Sequence, residues 1–360
     1  MSESDPLNLR EYAPRGQAGL SEMAWGYYAG GADDEITLRE NELAWERARL
    51  HYRILADVAN RSSATHVLGH EISLPVIAAP TAFHRMADDE GEVATVRATT
   101  GAGTAMVLSS LSTVDVEEVT AAATGPVFFQ LYLYRDREVS RDLIRRVEAA
   151  GCKGIVLTVD APIWGNRESD VRDHFSLPEN MEIRNLMADQ TLSFSSQEGS
   201  GLADFCNTHL DPGLRWEHVE WLRETTDLPI VVKGVCRPDD AVHAVNAGVA
   251  GLIVSNHGGR QLDTSPATFE VLPSVCEAVD GRAEVWVDGG IRRGTDVIKA
   301  LAAGATTALI GRPILWGLAA RGEAGVAHIW SMLHAEFDRA MALCGCANVD
   351  QITQDLLGPS

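Results

Sequence analysis

Eight short apolar runs rich in β-branched residues recur along the chain, and most of them end in a polar residue, Gly or Pro. Each run is too short for a helix and lacks strict alternation, which is typical of strands buried on both faces of a parallel sheet. The runs alternate with segments of helical pattern, and this alternation predicts a (β/α)8 TIM barrel, since a doubly wound sheet would not need eight units. The runs are Val76–Pro80, Ala105–Ser109, Val127–Tyr132, Gly154–Asp160, Pro229–Lys233, Gly251–Asn256, Val285–Asp288 and Thr307–Gly311.

The segments between the runs carry the signals of helix ends, with acidic residues in several first turns and Gly at several C-termini. Two further helices are predicted before the first run, at Ser21–Gly30 and Ile36–Arg47. The helices predicted between the runs are Asp88–Gly101, Thr113–Ala123, Asp136–Gly151, Arg237–Gly248, Ala267–Val279 and Arg293–Gly304.

Residues 161–215 separate the fourth run from the fifth by far more than one crossover needs. The middle of this insertion, Asn185–Asn207, is polar and rich in Ser, Gly and Asp. A long insertion at the catalytic end of a barrel is usually a lid or a binding loop, and the alternative is a disordered decoration. We therefore expect one domain over residues 1–360, with an N-terminal helical segment to residue 70, a barrel from residue 71, and this lid.

The charge balance argues against several classes of partner. The chain has 51 acidic and 30 basic residues, a formal charge of −21, which disfavours binding to nucleic acid or to a membrane surface. No apolar run is long enough for a transmembrane helix, and the N-terminus lacks the pattern of a secretory signal. The six cysteines are scattered along the chain, so we expect no disulfide framework. Cys344 and Cys346 form a C-x-C motif with no second cysteine pair to complete it, so we expect no metal site. These features predict a cytoplasmic protein.

In a TIM barrel, functional residues gather where the strands end. Each predicted strand here ends in a polar or backbone-binding group. Glycine and arginine follow the seventh and eighth strands, where this fold repeatedly binds phosphate, although ordinary glycine turns with solvated arginines are the alternative. The strand-end residues are Thr81, Ser109, Gln130, Tyr132, Thr158, Asp160, Lys233, Ser255–His257, Arg260, Asp288–Arg292, Gly311 and Arg312.

Lys233 and His257 are the strongest candidates for chemistry. Lys233, one of only three lysines, ends an apolar strand. It could be a Schiff-base nucleophile, a fixed positive charge beside a cofactor ring, or half of a buried ion pair. His257 lies in a glycine-rich polar loop and has the character of a general base. Arg260 could hold a carboxylate, and Asp160 could orient the imidazole.

Three motifs in this order resemble the FMN-dependent 2-hydroxy-acid oxidases and dehydrogenases. They are Gln130–Tyr132 (QLY), Ser255–Asp263 (SNHGGRQLD) and Asp288–Gly294 (DGGIRRG). The family includes glycolate oxidase, lactate oxidase, mandelate dehydrogenase and the flavin domain of flavocytochrome b2. The resemblance extends over nearly the whole chain, from Tyr27 to Cys346.

The resemblance implies FMN in the barrel mouth. Lys233 would stabilise the anionic reduced ring, which favours the fixed charge over the Schiff base. Pro80, Thr81 and Ala82 would line the flavin, and Ser109, Gln130 and Thr158 would bond its ring. Ser255 would also contact the cofactor. The ribityl chain and phosphate would be held by Asp288, Gly289, Gly290, Ile291, Arg292, Gly311 and Arg312.

The resemblance also implies how a 2-hydroxy acid is converted to a 2-oxo acid. His257 would be the base, paired with Asp160, and it would take either the C2 proton or the hydroxyl proton, the latter with hydride transfer. Tyr132 would bond the 2-hydroxyl group. The substrate carboxylate would be held by Tyr27, Arg260 and Arg167.

Departures from particular family members narrow the expected substrate and electron acceptor. Leu111 stands where plant glycolate oxidases carry Trp, which predicts a roomier pocket for lactate or a larger acid. The insertion is polar, unlike the apolar anchor of membrane-bound mandelate dehydrogenases, and no haem domain is expected before the barrel. Both features favour oxygen as the acceptor, with hydrogen peroxide as product.

Several alternatives stay open from sequence. Within the family, they are a dehydrogenase that uses a quinone or another carrier and a lactate 2-monooxygenase. Outside it, they are a Schiff-base aldolase that uses Lys233 and a catalytically silent binding module. Members of the family are commonly tetramers, so we expect a homo-oligomer.

Overall fold

A computed structural model describes residues 5–179, 181–185 and 200–358 of the chain. Three helices and an antiparallel hairpin precede the barrel. Both helices predicted in this segment are present, and the second begins and ends at the predicted residues. The elements are α1 (Tyr12–Ala18), α2 (Glu22–Ala29), α3 (Ile36–Arg47), β1 (Thr65–Val67) and β2 (His70–Ile72).

Eight parallel strands form a closed barrel, which confirms the predicted fold class. Each predicted run overlaps one strand, and the last strand closes the barrel by pairing with the first, Leu309 beside Ile77. Nearly all strand residues are buried, because one face fills the interior and helices cover the other. The strands are β3 (Val76–Ala78), β4 (Met106–Ser109), β5 (Val127–Leu131), β6 (Ile155–Thr158), β7 (Ile230–Val235), β8 (Gly251–Val254), β9 (Glu284–Val287) and β10 (Thr307–Ile310).

The helices around the barrel are amphipathic. α6, for example, buries Leu143, Ile144 and Val147 at helical spacing and leaves most of its charged residues toward solvent. None of the helices in the described ranges is long and apolar enough to cross a membrane. These helices are α4 (Gly91–Gly101), α5 (Val116–Ala122), α6 (Arg137–Ala149), α7 (Glu168–Arg172), α8 (Gly201–His209), α9 (Trp216–Thr225), α10 (Pro238–Asn246), α11 (Thr268–Val279), α12 (Gly294–Ala302) and α13 (Arg312–Cys344), which is interrupted at Arg321 and Gly322.

The β1–β2 hairpin seals the N-terminal end of the barrel. Its side chains Val67 and Ile72 are fully buried in one apolar cluster with the inward-facing residues of the strands. The sequence analysis placed no strand before residue 71, so it missed this hairpin. The barrel residues of the cluster are Ile77, Ala79, Val107, Phe128, Val156, Val231, Ile253, Trp286 and Leu309.

Within the described residues, the insertion between β6 and β7 consists of two short helices joined and flanked by irregular segments. It contains α7 and α8, and its first residues run along the C-terminal face of the barrel. Most of the polar stretch that predicted a lid, residues 186–199, lies outside the described residues, as does residue 180. The lid therefore stays a prediction.

Helix α3 is fixed to the loop that follows β9. Trp45 donates its indole N–H to the carbonyl oxygen of Gly289 at 2.7 Å. Gly290 has a φ of 83°, and a Cβ there would lie 2.1 Å from the carbonyl oxygen of Asn41. Only glycine allows this close approach of the two backbones. The contact brings the N-terminal segment to the C-terminal face of the barrel.

Candidate active site

A cavity of about 950 Å³, including its open mouth, lies at the C-terminal end of the barrel. Loops from all eight barrel strands, helix α2 and the insertion contribute to its walls. The predicted site residues that line it are Tyr27, Pro80, Thr81, Ala82, Ser109, Leu111, Gln130, Tyr132, Thr158, Arg167, Lys233, His257, Arg260, Asp288, Gly289, Gly290, Ile291, Arg292, Gly311 and Arg312.

Asp160 and Ser255, the other two predicted site residues, lie behind this wall and hold the residues that form it. Asp160 Oδ1 is 2.8 Å from His257 Nδ1. The Ser255 hydroxyl oxygen accepts hydrogen bonds from Lys233 Nζ at 2.8 Å and from the backbone N–H of His257 at 3.1 Å. The hydroxyl of Ser255 thus supports Lys233 and His257, and its contact with the cofactor stays a prediction.

His257 combines an unusual backbone conformation with a buried partner. Its φ is 58°, and Gly258 and Gly259 follow with φ values of 67° and 75°. Three consecutive left-handed residues fold the loop back on itself, which explains why two glycines follow the histidine. The turn directs the imidazole toward the cavity, where Nε2 lies 3.5 Å from the hydroxyl oxygen of Tyr132.

Burial leaves the ring of His257 neutral near pH 7. Burial lowers the pKa of His257 below its ordinary value, although the nearby Asp160 carboxylate opposes this shift. Burial alone would raise the pKa of Asp160, but the neighbouring His257 and Lys233 lower it overall, so the carboxylate is ionised. Nδ1–H of the neutral ring therefore donates to Asp160, which leaves the Nε2 lone pair free to accept a proton from a ligand in the cavity.

Lys233 carries a fixed positive charge at the end of β7. Its Nζ is 3.2 Å from Asp288 Oδ2. Burial alone would lower the pKa of Lys233, but Asp288 and Asp160 outweigh burial and raise it. A protonated ammonium is not a nucleophile, so this arrangement fits electrostatic stabilisation and not Schiff-base chemistry.

Three arginines of the cavity, Arg167, Arg260 and Arg312, have no carboxylate within ion-pair distance in the described parts of the chain. Arg260 and Arg312 instead donate to backbone carbonyls of residues 27–30. Burial, reinforced by the neighbouring arginines, lowers the pKa of Arg167 to about 10 and that of Arg312 to about 9. Buried cations without a counter-charge are costly, so this cavity is built for an anionic ligand.

The phenols of Tyr27 and Tyr132 supply neutral hydrogen-bond donors. Burial raises the pKa of both hydroxyl groups above the ordinary tyrosine value, so both stay protonated. Tyr27 stacks on Phe175, with ring centres 4.3 Å apart, and the Arg260 guanidinium lies 4.8 Å from the centre of its ring. These contacts fix Tyr27 and Arg260 relative to each other.

A continuous row of polar side chains crosses neighbouring strands under the cavity. Gln130 donates its amide N–H to the hydroxyl of Thr158 at 3.1 Å, and its amide oxygen accepts from Ser109 at 3.3 Å. Thr158 is in register with Lys233 on the next strand. Such a row offers donors, acceptors and a charge to the heteroatoms along one edge of a flavin ring.

The loops after β9 and β10 offer a second kind of surface. Gly289 and Gly290 have φ values of 92° and 83°, and Arg292 and Arg312 lie beside them in the cavity wall. Within the described residues, Asp288 Oδ1 and Arg292 Nε are buried without a hydrogen-bond partner. These groups fit a ribityl phosphate, so the residues present match FMN. Among all the residues that the structure describes, no group of three or more His, Cys, Asp or Glu side chains could hold a metal ion.

Trp164 and Gln261 contribute to the site but were not identified from the sequence. Trp164 lines the cavity, and the Arg167 guanidinium lies 4.0 Å from the centre of its ring. Gln261 accepts a hydrogen bond from Arg167 and donates to the carbonyl oxygens of Asp160 and Ile163. Trp164 lies four residues beyond Asp160, close enough to a strand end to be noticed, whereas the role of Gln261 depends on contacts between two loops.

The sequence profile of the FMN-dependent dehydrogenases matches residues 16–359, which is nearly the whole chain. An L-lactate oxidase of a Nostoc species is 48% identical over 361 aligned residues, which cover 98% of both proteins. A peroxisomal (S)-2-hydroxy-acid oxidase of Oryza sativa subsp. japonica is 47% identical over 354 residues, 98% of this chain and 96% of that protein.

The fold is also similar to solved structures. A crystal structure of mandelate oxidase with (S)-4-hydroxymandelic acid superimposes with a TM-score of 0.94 and 40% sequence identity. The superposition covers 98% of each chain. The sequence and structural comparisons thus point to the same group of flavoenzymes.

The geometry predicts the titration of His257. Its pKa should lie below the ordinary value of about 6.5, and Asp160→Asn should lower it further, because the Asp160 carboxylate favours the imidazolium. The measurement is NMR of the histidine side chains as a function of pH. Asp338→Asn removes a carboxylate that pairs with Arg61 instead, and it should leave the His257 titration unchanged. A His257 pKa that rises in Asp160→Asn would contradict this electrostatic account.

Proposed function

The chain belongs to the FMN-dependent dehydrogenase family, and from this we propose that it oxidises an (S)-2-hydroxy acid to the 2-oxo acid and reduces oxygen to hydrogen peroxide. The observation that carries the proposal is the buried His257–Asp160 pair beside Arg167 and Arg260. A base next to arginines that lack a carboxylate partner in the described chain suits a substrate that brings both a carboxylate and an acidic proton.

The substrate carboxylate takes the place of the missing counter-charge. Arg167 and Arg260 bind it, and the Tyr27 hydroxyl donates a further hydrogen bond. Because these groups are already held by Trp164, Gln261 and neighbouring carbonyls, little conformational freedom is lost on binding. The carboxylate thereby fixes the position of C2 and its hydroxyl group.

His257 then accepts a proton at Nε2. Asp160 stabilises the resulting imidazolium through the hydrogen bond to Nδ1–H, and Tyr132 bonds the substrate hydroxyl. The same residues suit either of two routes: removal of the C2 proton, or removal of the hydroxyl proton together with hydride transfer from C2.

When bound, FMN supplies the two-electron acceptor for this oxidation. Ser109, Gln130 and Thr158 would hold its ring in the row described above, and Lys233 would stabilise negative charge on the ring. The phosphate and ribityl chain would be held by Asp288, Gly289, Gly290, Ile291, Arg292, Gly311 and Arg312.

We propose lactate or a larger 2-hydroxy acid as the substrate. Leu111 is 2% exposed and lines the cavity, where it leaves more room than an indole would. Two of the names of similar proteins fit a substrate with a side chain, an L-lactate oxidase and the mandelate oxidase structure with (S)-4-hydroxymandelic acid, whereas other relatives are named glycolate oxidases. A cytoplasmic location and a homotetramer stay predictions, and one relative is named as peroxisomal.

The test of this function is the visible absorbance of the bound flavin. The holoprotein is mixed without oxygen with glycolate, (S)-lactate, (S)-mandelate or a long-chain 2-hydroxy acid, and then opened to air. We expect lactate or a larger acid to bleach the flavin band faster than glycolate, and air to restore it with one peroxide per oxo acid. Slow return in air would favour a dehydrogenase, and a decarboxylated product would favour a monooxygenase.

His257→Gln should keep FMN but lose turnover by about 10²–10⁴-fold, the usual effect of removing a general base. The rate of flavin reduction without oxygen measures the loss directly. His243→Gln, an exposed histidine on α10, is the matched control and should react like the wild type. Reduction of His257→Gln at the wild-type rate would exclude His257 as the base.

Leu111→Trp should shift the preference toward glycolate, because the indole fills the space available to a substrate side chain. The measurement is kcat/KM for glycolate, (S)-lactate and (S)-mandelate. Leu343→Trp places the same side chain at an exposed position on α13 and should leave the ratios unchanged. Unchanged ratios in Leu111→Trp would mean that other residues limit the pocket.

A further inference from the structure

Arg292, which lines the cavity after β9, already has a carboxylate partner. Its Nη2 lies 2.9 Å from Glu42 Oε1, and its Nη1 donates to the carbonyl oxygen of Ile291 at 2.9 Å. The indole of Trp316 packs against the guanidinium, 5.0 Å from ring centre to Cζ. Arg292 is 5% exposed, so its charge is paired with Glu42 within the wall of the site.

Arg312, the other arginine of these loops, differs in this respect. It donates to the backbone carbonyls of Tyr28 and Gly30 and has no ion pair in the described residues. The two arginines therefore contribute unequally to the positive potential of the cavity. The difference between them is a single acidic side chain from helix α3.

Glu42 reaches Arg292 from the outer side of the wall and is held there. Its side chain is 33% exposed, and its Oε2 is 3.3 Å from Nη2 of Arg10. Helix α3 is fixed on either side of Glu42 by the contacts of Asn41 and Trp45 with the glycine loop. Glu42 thus cannot leave Arg292 by a simple shift of its helix.

We propose that Glu42 limits the affinity of the protein for the phosphate group of FMN by neutralising the charge of Arg292. The inference rests on the proposed position of the phosphate beside Arg292 and Arg312. The side chains of Arg292, Arg312 and Glu42 together carry a net charge of +1, whereas a phosphate monoester carries about −1.5 to −2 at pH 7. Removing the negative charge of Glu42 would bring the positive charge of this group of side chains closer in magnitude to the negative charge of the phosphate.

Glu42→Gln is the informative substitution. Glutamine has the same shape and keeps an oxygen that accepts from Arg292, so the guanidinium stays oriented while the negative charge disappears. The matched control is Glu46→Gln, one turn further along α3. Glu46 pairs with Arg10 at 2.6 Å and makes no ion pair with Arg292.

The experiment titrates FMN and riboflavin into the FMN-free protein and follows quenching of flavin fluorescence. We expect Glu42→Gln to bind FMN about tenfold more tightly than the wild type at low salt, with a smaller gain at high salt. Riboflavin lacks the phosphate, so its dissociation constant should be the same in both proteins. Glu46→Gln should match the wild type with both ligands.

Three results would overturn the inference. If Glu42→Gln binds FMN no more tightly than Glu46→Gln does, the charge of Glu42 does not reach the phosphate. If it binds FMN more weakly, Glu42 serves mainly to orient Arg292. If Glu42→Gln increases the affinity for FMN and for riboflavin equally, the substitution does not act on the phosphate. If the wild-type protein binds FMN and riboflavin with equal affinity, the proposed position of the phosphate is itself refuted.

Discussion

Buried positive charge without a matching carboxylate is the constraint on which the candidate site depends. The barrel mouth alone would not tolerate Arg260 and Arg312, since guanidinium groups are costly away from water. Helix α2 solves this problem by directing its last carbonyls, those of Tyr27 and Tyr28, and that of Gly30 toward them. A helix C-terminus carries partial negative charge, so it solvates these cations without forming a fixed ion pair that a ligand would have to break.

This arrangement gives the N-terminal segment a direct part in forming the candidate site. Helix α2 supplies Tyr27 and the carbonyls, and α3 supplies Glu42 and the contact with Gly290. The opposite end of the barrel serves stability, because the β1–β2 hairpin packs Val67 and Ile72 onto the apolar interior there. The two ends of one barrel thus divide structure and function between them.

The strands and most of the site could be predicted because both depend on local sequence. A run such as Gly251–Val254 is apolar on both faces, and its end places His257 in a loop without any knowledge of distant contacts. The hairpin was missed because strands of three residues, such as Thr65–Val67, are too short for a periodic pattern. The pairing of Glu42 with Arg292 and the role of Gln261 depend on distant segments that meet only in the folded chain.

The contact between Asn41 and Gly290 joins parts of the chain separated by most of its length. During synthesis the N-terminal helices leave the ribosome first, yet their binding surface exists only after the loop beyond β9 has followed. Contacts of such long range are slow to form, because a large loop must close before they stabilise anything. The candidate cofactor site is therefore completed late in folding, and a truncated chain that lacks β9 and β10 would leave helix α3 without the loop on which it packs.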